Sequence, residues 1–123
     1  MPLKKPTLKV LTDENFRKEV LEEPGLVLVV FVADWCGLYR VIEPIIDQLA
    51  VDYRGRIKLG KVDNDQNEKT AAEYGVRNLP TLIFFLNGKI VDLITGVFPK
   101  KTVVDKLDSL LDKSDDKKDF AGR

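Results

Sequence analysis

The sequence has no histidine and a single cysteine, Cys36. Without histidine there is no Ser-His-Asp triad, no Cys-His nucleophile pair and no imidazole ligand for a metal. One cysteine excludes an intrachain disulfide, a four-cysteine zinc site and an iron–sulfur cluster held by one chain. No metal and no cofactor is expected. An excess of charge of one sign is also missing, since 20 basic and 20 acidic residues cancel. With no basic block either, nucleic acid is not the expected partner. The longest apolar run, Leu26 to Ala33, falls far short of the ~18 residues that cross a membrane. The charged start Met1 to Pro6 is followed by no apolar signal region, and there is no glycine-rich phosphate loop. The expectation is a soluble cytoplasmic protein.

What is present fits one α/β domain. The chain has 123 residues, 44% of them apolar, enough for a real core. Residues 1–7 read as a short flexible lead broken by Pro2 and Pro6, and Leu8–Leu11 as a short edge strand. Thr12 and Asp13 are helix caps, and Phe16, Val20 and Leu21 follow at helical spacing. Leu26–Ala33 is continuous, β-branched and apolar, the pattern of a strand buried on both faces. After it a helix places Val41, Ile45 and Leu49 inward with Ile42, Ile46 and Tyr53 beside them, and Pro44 is expected to kink it. A strand over 57–62, a polar turn, a short helix ending at Tyr74, and a strand over 81–86 come next. Asn87-Gly88 signals a hairpin into a strand over 89–95. The last helix runs from about Lys100 to Leu111, with Val103, Val104, Leu107, Leu110 and Leu111 inward. The domain is read as 1–112, and 113–123 as a flexible charged tail. The alternation predicts an α/β layer architecture with a mixed sheet.

Cys36 stands where the buried strand gives way to a helix. Free N–H groups and the dipole of a helix's first turn favour negative charge, and the thiolate is the reactive form of cysteine. A lone cysteine is also often just a small buried hydrophobe, and position alone leaves both readings open.

The segment Val32-Ala-Asp-Trp-Cys-Gly37 resembles the active-site approach of thioredoxins. Leu11-Thr-Asp-Glu-Asn-Phe16 is similar to that family's first helix, and Lys61-Val-Asp-Asn-Asp-Gln-Asn67 to its third strand and turn. Tyr74-Gly-Val-Arg-Asn-Leu-Pro-Thr81 matches its cis-proline loop, Phe85-Leu-Asn-Gly-Lys89 its hairpin, and Gly96 its late glycine. The resemblance covers about residues 8–111. It implies the thioredoxin fold, a mixed five-stranded sheet flanked by four helices, with Pro80 cis and Leu79 and Thr81 beside the cysteine. It further implies a groove for extended polypeptide bordered by Trp35, Gly37, Gly75, Val76, Gly96 and Val97.

The chain departs from that family in two places. Where Cys-Gly-Pro-Cys is usual it reads Cys36-Gly37-Leu38-Tyr39, so the resolving thiol is replaced by a phenol, which takes no part in thiol–disulfide exchange. Where many thioredoxins carry a buried aspartate it has Val30, while a lysine is kept at Lys61. Tyr39 shares a helix face with Cys36 and is expected to shield the thiol or extend the docking surface.

Two readings follow. The first is a monothiol oxidoreductase in which Cys36 forms mixed disulfides with protein thiols or with glutathione. Glutathione or another thioredoxin would then act as the resolving thiol. The alternative is a non-catalytic module that binds extended peptides in the same groove. A glutathione-linked iron–sulfur cluster shared by two chains carries little weight. A monomer is expected, with a Cys36–Cys36 dimer only on air oxidation. Asp63, Asp65 and Asn67 recur like the start of a calcium loop, but Glu68 and Tyr74 occupy its sixth and twelfth positions, so a solvated turn is the better reading.

Overall fold

Strand β2 (Leu26–Val32) is the axis of the structure, and all of its residues are buried. In this computed structural model residues 8–121 are described, with side chains to 112; the lead over 1–7 lies outside them. The side chains of β2 alternate between two cores, as strand geometry requires. Leu26, Leu28, Val30 and Val32 enter one hydrophobic cluster, and Val27, Val29 and Phe31 enter the other. A strand that feeds two cores must be apolar at every position, which explains the unbroken run.

The sheet has five strands in the order β1 (Lys9–Leu11), β3 (Lys58–Asp63), β2, β4 (Thr81–Leu86), β5 (Lys89–Thr95). β1, β3 and β2 are parallel, and β4 and β5 add antiparallel pairs. The β4–β5 hairpin turns on Asn87 and Gly88, both at positive φ (51° and 81°), as a two-residue hairpin turn demands. A Cβ at position 88 would also collide with the Leu21 carbonyl.

Helix α1 (Gly37–Asp52) and helix α3 (Lys100–Ala121) cover the first cluster through Ile42, Ile46, Leu49, Val103, Leu107 and Leu110. A π-helical turn (Arg17–Leu21) and helix α2 (Glu68–Glu73) accompany the second, to which Phe16 and Val20 contribute. Asp13 joins these two segments. Its carboxylate accepts the Thr70 N–H at 2.8 Å and the Thr70 hydroxyl at 2.6 Å, while the Asp13 N–H donates to Asn67 Oδ1 at 2.9 Å.

Two expectations are corrected. Val41, read as inward, is 56% exposed, and the buried line is Ile42, Ile46, Leu49, Tyr53. Steps of four residues drift about 40° each around a helix, whereas steps of four, three and four return to one face. The last helix does not stop near Leu111 but continues to Ala121. No glycine or proline stands between Lys100 and Gly122, and lysine is a good helix former, so nothing local ends it. Residues 122 and 123 lie outside the described residues. Helix α1 runs on through Pro44, which leaves the Arg40 carbonyl without its usual donor.

Candidate active site

The chain leaves β2 at Val32, turns through Ala33, Asp34 and Trp35, and enters α1 at Cys36. The turn is fixed by the Cys36 N–H donating to the Ala33 carbonyl at 3.0 Å and the Tyr39 N–H donating to the Cys36 carbonyl at 3.2 Å. Cys36 is the N-cap of α1, with extended backbone (φ −83°, ψ 101°). Its side chain therefore sits at the positive end of the helix dipole, at the carboxyl end of the central strand. The residue is only 7% exposed. Its Sγ lies 3.5 Å from the Leu79 carbonyl oxygen, to which the S–H donates.

Leu79 belongs to the loop that enters β4, and the Leu79–Pro80 peptide is cis. The loop is tied at several points. Thr81 Oγ1 donates to the Asn78 carbonyl at 2.5 Å, and the Gly96 N–H donates to the Pro80 carbonyl at 2.8 Å, which draws the end of β5 against it. Gly75 and Val76 lie upstream at the end of α2, where the Val76 N–H donates to the Ala71 carbonyl at 2.9 Å. Val76 and Leu79 are partly buried against the second cluster. Of the residues singled out in the sequence, Leu79 touches the sulfur, Pro80, Thr81 and Gly96 hold Leu79's loop, and Gly37 and Leu38 open α1.

Trp35 is 70% exposed, Val97 51% and Leu38 49%. Trp35 is not loose: its Nε1–H donates to Asp65 Oδ2 at 2.8 Å. Asp65, read from the sequence only as part of a solvated turn, is thus a neighbour of the site, and Asp63 Oδ1 in turn accepts the Asp65 N–H at 2.9 Å. Asn67 is engaged as well, donating to the Asp63 carbonyl at 3.0 Å.

On the β1–β3 side of β2, away from the Leu79 loop, lies a cleft of about 860 Å³. Cys36 and Tyr39 form one wall, and Lys61 and Asp63 of β3 form another. Lys61 is the register neighbour of Val30, which is fully buried, so no carboxylate lies beneath this lysine on β2. Tyr39 is half-buried against the first cluster. Burial, with the Glu43 and Asp47 carboxylates, pushes its phenol up to about 12, so it stays neutral at ordinary pH. Arg40 and Glu43 line the cleft too. Sequence reasoning missed them, although each stands four residues beyond a named residue, Cys36 and Tyr39, on the same helix face. No group of three or more metal-binding side chains occurs among the described residues.

The thioredoxin family profile matches residues 7–109. The chain belongs to the thioredoxin family. It is 43% identical to thioredoxin 1 of Nostoc sp. over 101 residues, which is 82% of this chain and 94% of that protein. It is 39% identical to a thioredoxin of Synechocystis sp. over 101 residues, with the same coverage of 82% and 94%. It is 43% identical to a thioredoxin of Porphyra purpurea over 103 residues, 84% of this chain and 92% of that one. This thioredoxin-family protein is thus a thioredoxin-like oxidoreductase with one cysteine in its whole sequence. No helix among the described residues is long and apolar enough to cross a membrane.

Proposed function

We propose that the protein is a monothiol thiol–disulfide oxidoreductase. Cys36 attacks a disulfide of an extended polypeptide docked along Trp35, Leu38, Val76, Leu79 and Val97. The target sulfur leaves as a thiolate, and Cys36 is left in a mixed disulfide. An external thiol, such as glutathione or the thiol of another thioredoxin, then resolves it. One observation carries this reading: Cys36 caps α1 with Sγ 3.5 Å from the Leu79 carbonyl, while the position one helical turn on is Tyr39. The protein acts as a monomer in a reducing compartment, the cytoplasm, where a single thiol stays free.

The test is a glutathione-coupled disulfide assay. The wild type should turn over and form a mixed disulfide detectable by intact mass, and Cys36→Ser should do neither. Equal behaviour of the two proteins sinks the proposal. A second reading, a peptide-binding module without redox turnover, draws on the contrast between a thiol 7% exposed and a Trp35 70% exposed. Partners retained by Cys36→Ser in strong reductant would favour it.

A further inference from the structure

A mixed disulfide at Cys36 has one stereochemical requirement that the fold addresses. Thiol–disulfide exchange is a displacement at sulfur, with the attacking, central and leaving sulfurs nearly in line. A thiol that attacks Cys36 Sγ must therefore arrive opposite the target's sulfur. Leu79, which marks the target's side, leads into β4 on one flank of β2, and the charged cleft lies on the other flank, toward β3 and β1. Cys36 belongs to both: it touches Leu79 and it lines the cleft.

The two surfaces differ in chemistry. Beside the Leu79 loop Val97 is exposed and apolar, whereas the cleft carries the cations Arg40 and Lys61 and the acids Glu14, Asp34, Glu43 and Asp63. Among the described residues neither cation is in a salt bridge. The cleft's 860 Å³ is within the size of small-molecule sites, and its lining sets charged side chains among apolar ones. Cations and carboxylates in one cavity suit a ligand with both signs of charge.

We infer that the cleft is the binding site of the resolving thiol, and that this thiol is a small amino-acid or peptide thiol carrying both ammonium and carboxylate groups. Arg40 and Lys61 take its carboxylates and the acids take its ammonium. The inference rests on the monothiol reading above. The bound thiolate attacks Cys36 Sγ, the bond to the target breaks, and the target sulfur leaves with the electron pair and takes up a proton from water. A second molecule of the same thiol attacks the new mixed disulfide at the small thiol's own sulfur, freeing Cys36. One target disulfide is reduced, and two small thiols are oxidised to their disulfide.

The experiment starts from Cys36 labelled with thionitrobenzoate, whose release is coloured and follows attack at Cys36. Rates are measured with glutathione, cysteamine, mercaptoacetate and 2-mercaptoethanol, each corrected for its thiolate concentration. Glutathione should saturate and exceed 2-mercaptoethanol by at least about threefold, the scale of one partly exposed charge pair. Cysteamine and mercaptoacetate, each with one sign of charge, should fall between. In Lys61→Gln and, independently, in Arg40→Gln the glutathione to 2-mercaptoethanol ratio should fall toward one, as it should for wild type in about 1 M salt. Rates that follow thiolate reactivity alone, without saturation, overturn the inference and leave the monothiol reading intact. So does a ratio unmoved in both variants. A protein that takes up no label at Cys36 overturns both.

Discussion

At the scale of single residues, Tyr39 is the position on which the monothiol proposal turns. It stands at i+3 from Cys36 on the first turn of α1, a spacing at which two side chains meet. Tyr39→Cys should therefore allow an intrachain disulfide, seen as a loss of two hydrogen masses on oxidation and its return on reduction. Failure to close would mean that the first turn of α1 holds the two positions apart. The phenols offer a second prediction. Tyr39 and Tyr53 are both pushed up to about 12, first by burial; for Tyr53 the Asp108 carboxylate adds to it, accepting the hydroxyl at 2.7 Å. An ordinary tyrosine titrates near 10. The unfolded chain thus loses these protons before the folded one, so stability is full below pH ~10 and falls as pH rises toward ~12. Lys58 adds a loss of the same sign: burial opposes its charge, but hydrogen bonds to Glu19 and Glu23 raise its pKa overall. Denaturant midpoints measured from pH 9 to 12 should show the decline, and Tyr53→Phe should make it shallower.

At the scale of elements, the strands and the hairpin were legible because their signals are local. Thr81–Leu86 and Lys89–Thr95 have the bounds that the Asn-Gly turn and apolar runs mark out. The face of α1 was less legible, because Val41, Ile42, Ile45 and Ile46 are all apolar and only the packing shows which line is inside. Ile42→Ala should cost about 2–5 kcal/mol by opening a cavity, and Val41→Ala no more than about 0.5 kcal/mol. Equal losses in chemical denaturation would contradict the buried line seen here. The loop before β4 and the turn around Cys36 were legible as thioredoxin motifs. The side-chain bonds that steady them were not. Asp13 meets Asn67 and Thr70, and Trp35 meets Asp65, across long stretches of chain, and no local pattern announces such pairs. The cleft escaped for the same reason, since its walls come from β1, β3 and α1 together.

At the scale of the whole molecule, β2 organises both the two cores and the two surfaces that meet at Cys36. The same sheet order has a consequence for how the molecule opens. β1 has only three residues, lies at the sheet's edge, and within the sheet pairs only with β3, Lys9 opposite Gly60 and Leu11 opposite Val62. Closing that pairing spans some fifty residues of chain and gains few hydrogen bonds, so β1 should be among the cheapest parts of the sheet to release. Its amides should exchange with solvent well before those of β2, which is paired on both sides. Val10, Leu11 and Thr12 also line the charged cleft, so a strand expected to open early is one of that cavity's walls. Anything that binds in the cleft and needs this wall must lower the open population by mass action. Slower deuterium uptake in β1 on adding glutathione would then report occupancy directly, in a protein whose thiol has not reacted.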